Sequence, residues 1–226
     1  MIISIVLLPV AIIIFIVYLY WRFRYFFRDP IRNIPVGDSL VLSPADGTVV
    51  YVHPIEKETI PISIKNKNEI HLREMLRNTD YKNAPYQIVG IFMHPTSVHI
   101  NRSPIKGIIK QIVYTQNKNL PMTKMWWKVL LKISPYEKGS PHVTENTRNV
   151  IEIVGRITTF VVQIADIYVS KIACYVKEGE SVNSGQKIGA ILIGSQVDLL
   201  LPINVNIRVK KGDSVKAGES IIGDIK

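Results

Sequence analysis

Two thirteen-residue stretches near the C-terminus repeat one another. "VKEGESVNSGQKI" runs from Val176 to Ile188 and "VKKGDSVKAGESI" from Val209 to Ile221, offset by 33 residues. Both read Val-Lys-x-Gly-acid-Ser-Val-x-small-Gly-x-x-Ile. Gly179 and Gly212 supply a turn at positive φ, where a Cβ is disfavoured. Val182 and Val215 are expected to point into the core, and Gly185 and Gly218 to permit the next reversal. Two copies of such a unit predict a mostly β domain of hammerhead, barrel-sandwich-like form, built on repeated β-turns.

The rest of the chain agrees. From Ser39 onward, short runs such as "TVVYV", "QIVGIFM", "NVIEIVG" and "TTFVVQIADIYV" alternate with Gly, Pro, Asn and Asp. That spacing is the signature of strands and turns. "EIHLREMLRN", Glu69 to Asn78, is the one helical pattern beyond the N-terminus.

The N-terminus has a different composition. "MIISIVLLPVAIIIFIVYLYW", Met1 to Trp21, carries no charge and is about as long as a membrane-crossing helix. Tyr18, Tyr20 and Trp21 are placed like an interfacial aromatic belt, and Arg22, Arg24 and Arg28 follow. No basic segment precedes the run and no A-x-A site follows it, so a cleaved signal peptide is not expected. These residues predict a transmembrane anchor over 1–21, a basic juxtamembrane linker over 22–38 and a domain over 39–226. The positive-inside rule places that domain on the cytoplasmic side of the cell membrane, in a single-pass protein. A buried core helix is the alternative.

Net charge narrows the partners. The chain carries +10 at pH 7, which suits an anionic membrane, a phosphate-bearing substrate or nucleic acid. No nucleic-acid recognition motif accompanies the charge, so a lipid surface accounts for it more simply. The single cysteine, Cys174, excludes a disulfide framework or a Cys-based zinc site within one chain. The five histidines, His53, His71, His94, His99 and His142, show no metal-binding spacing, and no metal is expected.

Five further segments belong together. They are "FFRDP" (Phe26 to Pro30), "LSPADGTVV" (Leu42 to Val50), "VHINRSPIKG" (Val98 to Gly107), "TENTRN" (Thr144 to Asn149) and "GSQVDLLLP" (Gly194 to Pro202). In this order they resemble the phosphatidylserine decarboxylase family, and more narrowly its short membrane-anchored branch, which includes archaetidylserine decarboxylases. The resemblance implies self-cleavage between Gly194 and Ser195, giving a large chain, 1–194, and a small chain, 195–226, that stay together as a heterodimer. It implies that Ser195 becomes a pyruvoyl group, which forms a Schiff base with the substrate amine. No pyridoxal phosphate is then needed. A serine-headgroup phospholipid of the membrane, phosphatidylserine or archaetidylserine, would lose CO2 to give the ethanolamine form.

Residue chemistry is consistent with that implication. Ser195 stands next to the Gly194 carbonyl, and Gly194 lacks a Cβ that would hinder the approach of the hydroxyl. On its own the Gly-Ser pair reads first as a hairpin turn or bulge, and only the other motifs turn it toward processing. His99, beside Val98 and Ile100, is either a core histidine or the acid/base. Asp46 is either an Asp-Gly turn residue or, as the resemblance implies, the residue that orients the histidine. Longer members carry two histidines in the "VHINRSP" motif; here Arg102 occupies the second position, after Asn101. That leaves open whether His99 serves both steps or His94 reaches the site. Arg102, with Asn101, is read as substrate-binding, its fork suited to a phosphate or carboxylate. Glu145 and Arg148, three apart, fit a structural ion pair or line the site, the structural role being the main reading.

"LPMTKMWWKVLLKI", Leu120 to Ile133, fits a core strand with a hairpin, or a loop dipping into the lipid interface. The main rival function is a membrane-anchored adaptor or carrier of the lipoyl or biotinyl type, which has the same β turns but an intact chain. A homo-oligomer is compatible with either reading.

Overall fold

The computed structural model describes residues 2–25, 28–55, 59–65, 68–71, 85–134, 136, 142–167, 172–191 and 195–226. Its centre is an antiparallel sheet of eight strands. In chain order these are β2 (Gly47–Ile55), β5 (Tyr86–Met93), β7 (Gly107–Thr115), β8 (Arg148–Gly155), β9 (Thr158–Ala165), β11 (Ser181–Val182), β13 (Ser195–Pro202) and β15 (Ser214–Val215). Their spatial order is β11-β7-β8-β9-β13-β5-β2-β15. Two three-stranded sheets lie beside it. One orders β1 (Leu40–Leu42), β16 (Ile221–Ile225) and β14 (Val205–Ile207); the other orders β10 (Ile172–Cys174), β12 (Lys187–Ile191) and β6 (Ile100–Arg102). A separate hairpin pairs β3 (Thr59–Lys65) with β4 (Asn68–His71).

The central strands are buried on both faces, which is why their sequences lack polar alternation. One face carries Val89, Ile91, Val161, Val197, Leu199 and Leu201, packed on the small sheets. The other carries Tyr51, Ile88, Phe92, Phe160, Val162 and Leu200. It is covered by helix α2 (Thr123–Leu130), through Met122 and Met125. Strand or hairpin was the expectation for part of that stretch, and a helix is found. Met122, Met125, Trp126 and Val129 recur at helical spacing, and burying them together outweighs the β preference of the Trp and Val residues.

The repeat forms the two edges of the large sheet. β11 closes on Gly107 and Ile108 of β7, and β15 closes on Gly47 and Thr48 of β2. All four repeat glycines have positive φ, from 74° to 94°. Val182 and Val215 are buried in the core, as expected. The structure also reveals a second duplication. "SPADG", Ser43 to Gly47, and "SPIKG", Ser103 to Gly107, are the same turn. Ser43 Oγ donates to Ala45 O and Ser103 Oγ to Ile105 O, each at 2.7 Å. The two turns are cross-linked: Leu42 N donates to Pro104 O and Arg102 N to Pro44 O, both at 2.9 Å. The two turns are therefore a matched pair, each bonded to the other.

Two expectations need correction. Glu69 to His71 belongs to strand β4, not to a helix, because Ile70 pairs with Ile60 of β3; the remainder of that pattern, 72–78, lies outside the described residues. The N-terminal segment is helix α1 (Ile2–Tyr20), with Pro9 inside it, followed by a π-helical turn at Trp21–Tyr25. Among the described residues no helix is long and apolar enough to cross a membrane, so the transmembrane helix expected over 1–21 is not supported.

Residues 28–37 form a strap across both repeat turns. Asp29 accepts from Arg102 and Lys187, Arg32 donates to Asp46, and Asn33 N donates to Glu219. Ile34 lies against Gly185, where a Cβ would come within 2.8 Å of it.

Candidate active site

Ser195 opens β13 and is fully buried. It pairs with Met93 of β5 on one side and Ala165 of β9 on the other. Strand alternation puts its side chain on the face of Val197 and Leu199, toward the small sheets. Its Oγ lies 3.4 Å from Met93 Sδ, a weak acceptor. Asn101 of β6 directs Nδ2 to the same sulfur at 3.6 Å. A row of amides continues from there. Gln163 Nε2 donates to Asn101 Oδ1 at 2.8 Å, and Asn149 Nδ2 donates to Gln163 Oε1 at 2.9 Å. Asn149 Oδ1 is buried with no hydrogen-bond partner among the described residues. Gly194 lies outside the described residues.

His99 immediately precedes β6 and is buried. Its backbone carbonyl accepts from Ile191 N, the end of β12. Its Nδ1 is 2.8 Å from Ser97 O. A carbonyl only accepts, so Nδ1 carries the proton and Nε2 the lone pair. Burial pushes the imidazole pKa down to about 4; the Ser97 carbonyl opposes this and the Arg28 charge adds to it. His99 is accordingly a neutral base at pH 7.

The other predicted residues sit as follows. Asp46 receives Arg32 Nη2 at 2.9 and 3.0 Å and Ala217 N at 2.7 Å. Its carboxylate thus ties its own turn to the strap and to the second repeat. Arg102 donates to Gly185 O at 2.8 Å and to Asp29 Oδ1 at 2.7 Å, so protein groups occupy its fork. Burial raises the Asp29 carboxyl, but hydrogen bonds and charges of Lys187 and Arg102 outweigh it and hold the pKa below the usual carboxylate value. His94 lies on the opposite face from Ser195, against Phe92 and Trp126, where burial lowers its pKa. Glu145 is exposed whereas Arg148 is fully buried.

A second polar cluster backs β13 on that opposite face. Tyr51 Oη donates to Asp198 Oδ1 at 2.6 Å, and Gln196 Nε2 donates to the same oxygen at 2.7 Å. His142 Nε2 faces Gln196 Oε1 at 3.2 Å. Burial pushes the Asp198 carboxyl up to about 7, against the pull of Tyr51, Gln196 and the Arg148 charge. Burial likewise drives His142 down to about 4, with the Gln196 bond opposing it. Sequence reasoning assigned this cluster no role; its one signal was an acid, Asp198, inside an apolar run.

The family model for phosphatidylserine decarboxylase matches residues 19–223 of this chain. The chain belongs to the phosphatidylserine decarboxylase family. A putative archaetidylserine decarboxylase proenzyme of Methanocaldococcus jannaschii is 39% identical over 88% of this chain and 87% of its own length. Phosphatidylserine decarboxylase proenzymes of Ehrlichia ruminantium and of the Wolbachia of Brugia malayi are 34% and 33% identical, covering 88% and 89% of this chain and 73% and 74% of their own lengths. Among solved structures, the glucose permease IIA from Mycoplasma capricolum aligns at a TM-score of 0.38 and 13% identity, over 83% of this chain and 95% of that one.

In this decarboxylase-family chain the fold thus gathers Ser195, Met93, Asn101, Gln163 and Asn149 on one face, with the His99 backbone bonded to Ile191 at the end of β12. It places Asp46 and Arg102 in the frame around them and His94 behind the sheet. Among the described residues no group of His, Cys, Asp and Glu is arranged to hold a metal ion.

Proposed function

We propose that this chain is a proenzyme that cuts itself between Gly194 and Ser195 and then decarboxylates a serine-headgroup phospholipid, phosphatidylserine or archaetidylserine, to its ethanolamine form. The observation that carries the reading is Ser195 itself. A hydroxyl fully buried at the start of a central strand, aimed at a thioether and not at a strong acceptor, is poorly explained as a turn residue.

The chemistry follows from the groups present. Ser195 Oγ gives up its proton to a base and attacks the Gly194 carbonyl, turning the amide into an ester. Removal of the Ser195 Cα proton then expels the Gly194 carboxylate by β-elimination. The remaining unsaturated residue tautomerises, and water releases ammonia to leave a terminal ketone. His99 is neutral, and its Nε2 lone pair suits both proton removals. One donor near Ser195 fits a ketone oxygen: Asn101 Nδ2, which is directed at the same Met93 sulfur as Ser195 Oγ. A pyruvoyl group in this place supplies the electron sink for loss of CO2.

Other roles follow from position. Asp46 supports the site through its turn, since Pro44 O accepts from Arg102 N and from Asn101 Nδ2. Arg102 takes a substrate phosphate or carboxylate in exchange for Asp29. The small chain, 195–226, stays bound because β13 lies between β5 and β9. The enzyme acts at the membrane surface, and its excess of Lys and Arg favours the anionic cytoplasmic leaflet.

Intact-mass measurement tests the proposal. Purified protein should give fragments 1–194 and 195–226, the smaller lighter by one ammonia than a serine N-terminus would be. Ser195→Ala should leave one chain without decarboxylase activity. A wild-type chain that stays whole while decarboxylating the lipid would overturn it.

A further inference from the structure

Helix α2 buries one side and leaves the other apolar. Met122 and Met125 are each 1% exposed, while Trp127, Leu130, Leu131 and Ile133 are 49–60% exposed. Lys132 adopts a positive φ of 54° just after the helix, turning Ile133 outward beside Leu131. No acidic residue occurs from Gln116 to Tyr136, which contains Lys118, Lys124, Lys128 and Lys132. Large aliphatics and a tryptophan set among lysines have the chemistry of an anionic lipid interface, with ring and chains in the acyl boundary and ammonium groups among phosphates.

The helix also stands where such a contact is useful. Trp126 packs on His94 at 5.9 Å, and Met122 N donates to Asp166 Oδ1 at 2.9 Å. His94 follows Met93 and Asp166 follows Ala165, the two residues that flank Ser195 in the sheet. Thus α2 is fastened to the Ser195 end of the domain. Lys106, Gly107 and Gly155 mark the opposite end, because Gly107 pairs with Gly155 there while Thr115 pairs with Arg148 at the Ser195 end.

We propose that α2 and the turn after it are an interfacial element that inserts Trp127, Leu130, Leu131 and Ile133 into an anionic lipid surface. Insertion sets the Ser195 end of the sheet at headgroup depth. This rests on the reading above that the substrate is a membrane phospholipid.

Two measurements on the full chain test it. In a Cys174→Ser background, an environment-sensitive dye is placed at Leu131→Cys and, separately, at Lys106→Cys. With phosphatidylcholine vesicles containing phosphatidylglycerol, the dye at 131 should shift to the blue and be quenched by shallow brominated lipids, less so in high salt; the dye at 106 should not respond. Second, Trp127→Ser/Leu130→Ser/Leu131→Ser should lose about tenfold or more in kcat/KM on vesicle phosphatidylserine and keep its value on soluble dihexanoyl phosphatidylserine. A dye at 131 that ignores vesicles overturns the proposal. So does one already buried without lipid in a chain that sediments as an oligomer, because the patch then covers a second copy. Equal loss on both substrates also overturns it. If wild-type protein turns over neither substrate, the decarboxylase reading fails, while the dye measurement still decides the role of α2.

Discussion

Asp198→Asn changes one oxygen to an amide in the middle of β13. Asn keeps an acceptor for Tyr51 Oη and Gln196 Nε2, which both bond to Oδ1. The other oxygen, Oδ2, is buried with no hydrogen-bond partner among the described residues, so the new NH2 breaks no bond there. What is lost is a titration. The Asp198 carboxyl has its pKa raised from 3.8 to about 7, chiefly by burial. A raised carboxyl pKa means that the folded state holds its proton more tightly than the unfolded chain. Its contribution is therefore fully present below pH 3.8 and is lost as the pH climbs through 7. At about 1.4 kcal/mol per pH unit over roughly three units, wild type should lose about 4 kcal/mol relative to Asp198→Asn between pH 4 and pH 7.5. The assay is urea denaturation across that range, with both proteins carrying Ser195→Ala so that each is one chain. Comparing the pair cancels His99, His142 and every other group common to both. A stability difference that stays flat with pH would refute the burial argument, as would one that favours Asp at high pH.

Further predictions follow from the same geometry. Because the His99 pKa is lowered to about 4, its base form persists in acid; release of fragment 195–226 from refolded precursor should proceed at a level rate from pH 8 to 5.5 and fall only near pH 4, and His99→Ala should stop it. At Gly47 a Cβ would lie 2.2 Å from Phe92 O, and at Gly107 2.6 Å from Val154 O. Gly47→Ala and Gly107→Ala should each destabilise by about 1–3 kcal/mol in denaturant titrations, with the closer contact costing more. Asp29→Asn removes the carboxylate shared by Arg102 and Lys187; as that side chain is partly exposed, about 1 kcal/mol or less is expected, and the loss should shrink in high salt.

The readability of the sequence differed by feature for physical reasons. The repeat glycines spoke for themselves, since positive φ is a local demand that glycine meets. The partner duplication, SPADG against SPIKG, was hidden because only the turn skeleton is shared; Asp46 and Lys106 occupy the same place with opposite charge. Helix α2 was obscured by Trp and Val, although its buried positions kept helical spacing. In the N-terminal run apolarity was plain, and a helix is found there, but among the described residues no helix is long and apolar enough to cross a membrane. Ser195, His99 and Asn101 were legible as candidates because their motifs are. The bonds of Asp46 to Arg32 and Ala217, and of Arg102 to Asp29, were not, since residue type says nothing of a partner far along the chain. Gln163 looked like any polar residue in a strand until β6 was packed over it.

The place of β13 in the sheet has a consequence for the life of the protein. Ser195 to Pro202 lies between β5 and β9, and the same terminal stretch supplies β14, β15 and β16. Folding must thread this segment into the centre while it is still tethered, as a first-order process. A cut at its first residue would erase the tether but not the embrace. After that, a denatured pair of fragments could reassemble only by collision, with yields that fall on dilution. Maturation would then act as a ratchet: the chain folds once, and afterwards its persistence is governed by the rate at which it opens, not by an equilibrium it could revisit.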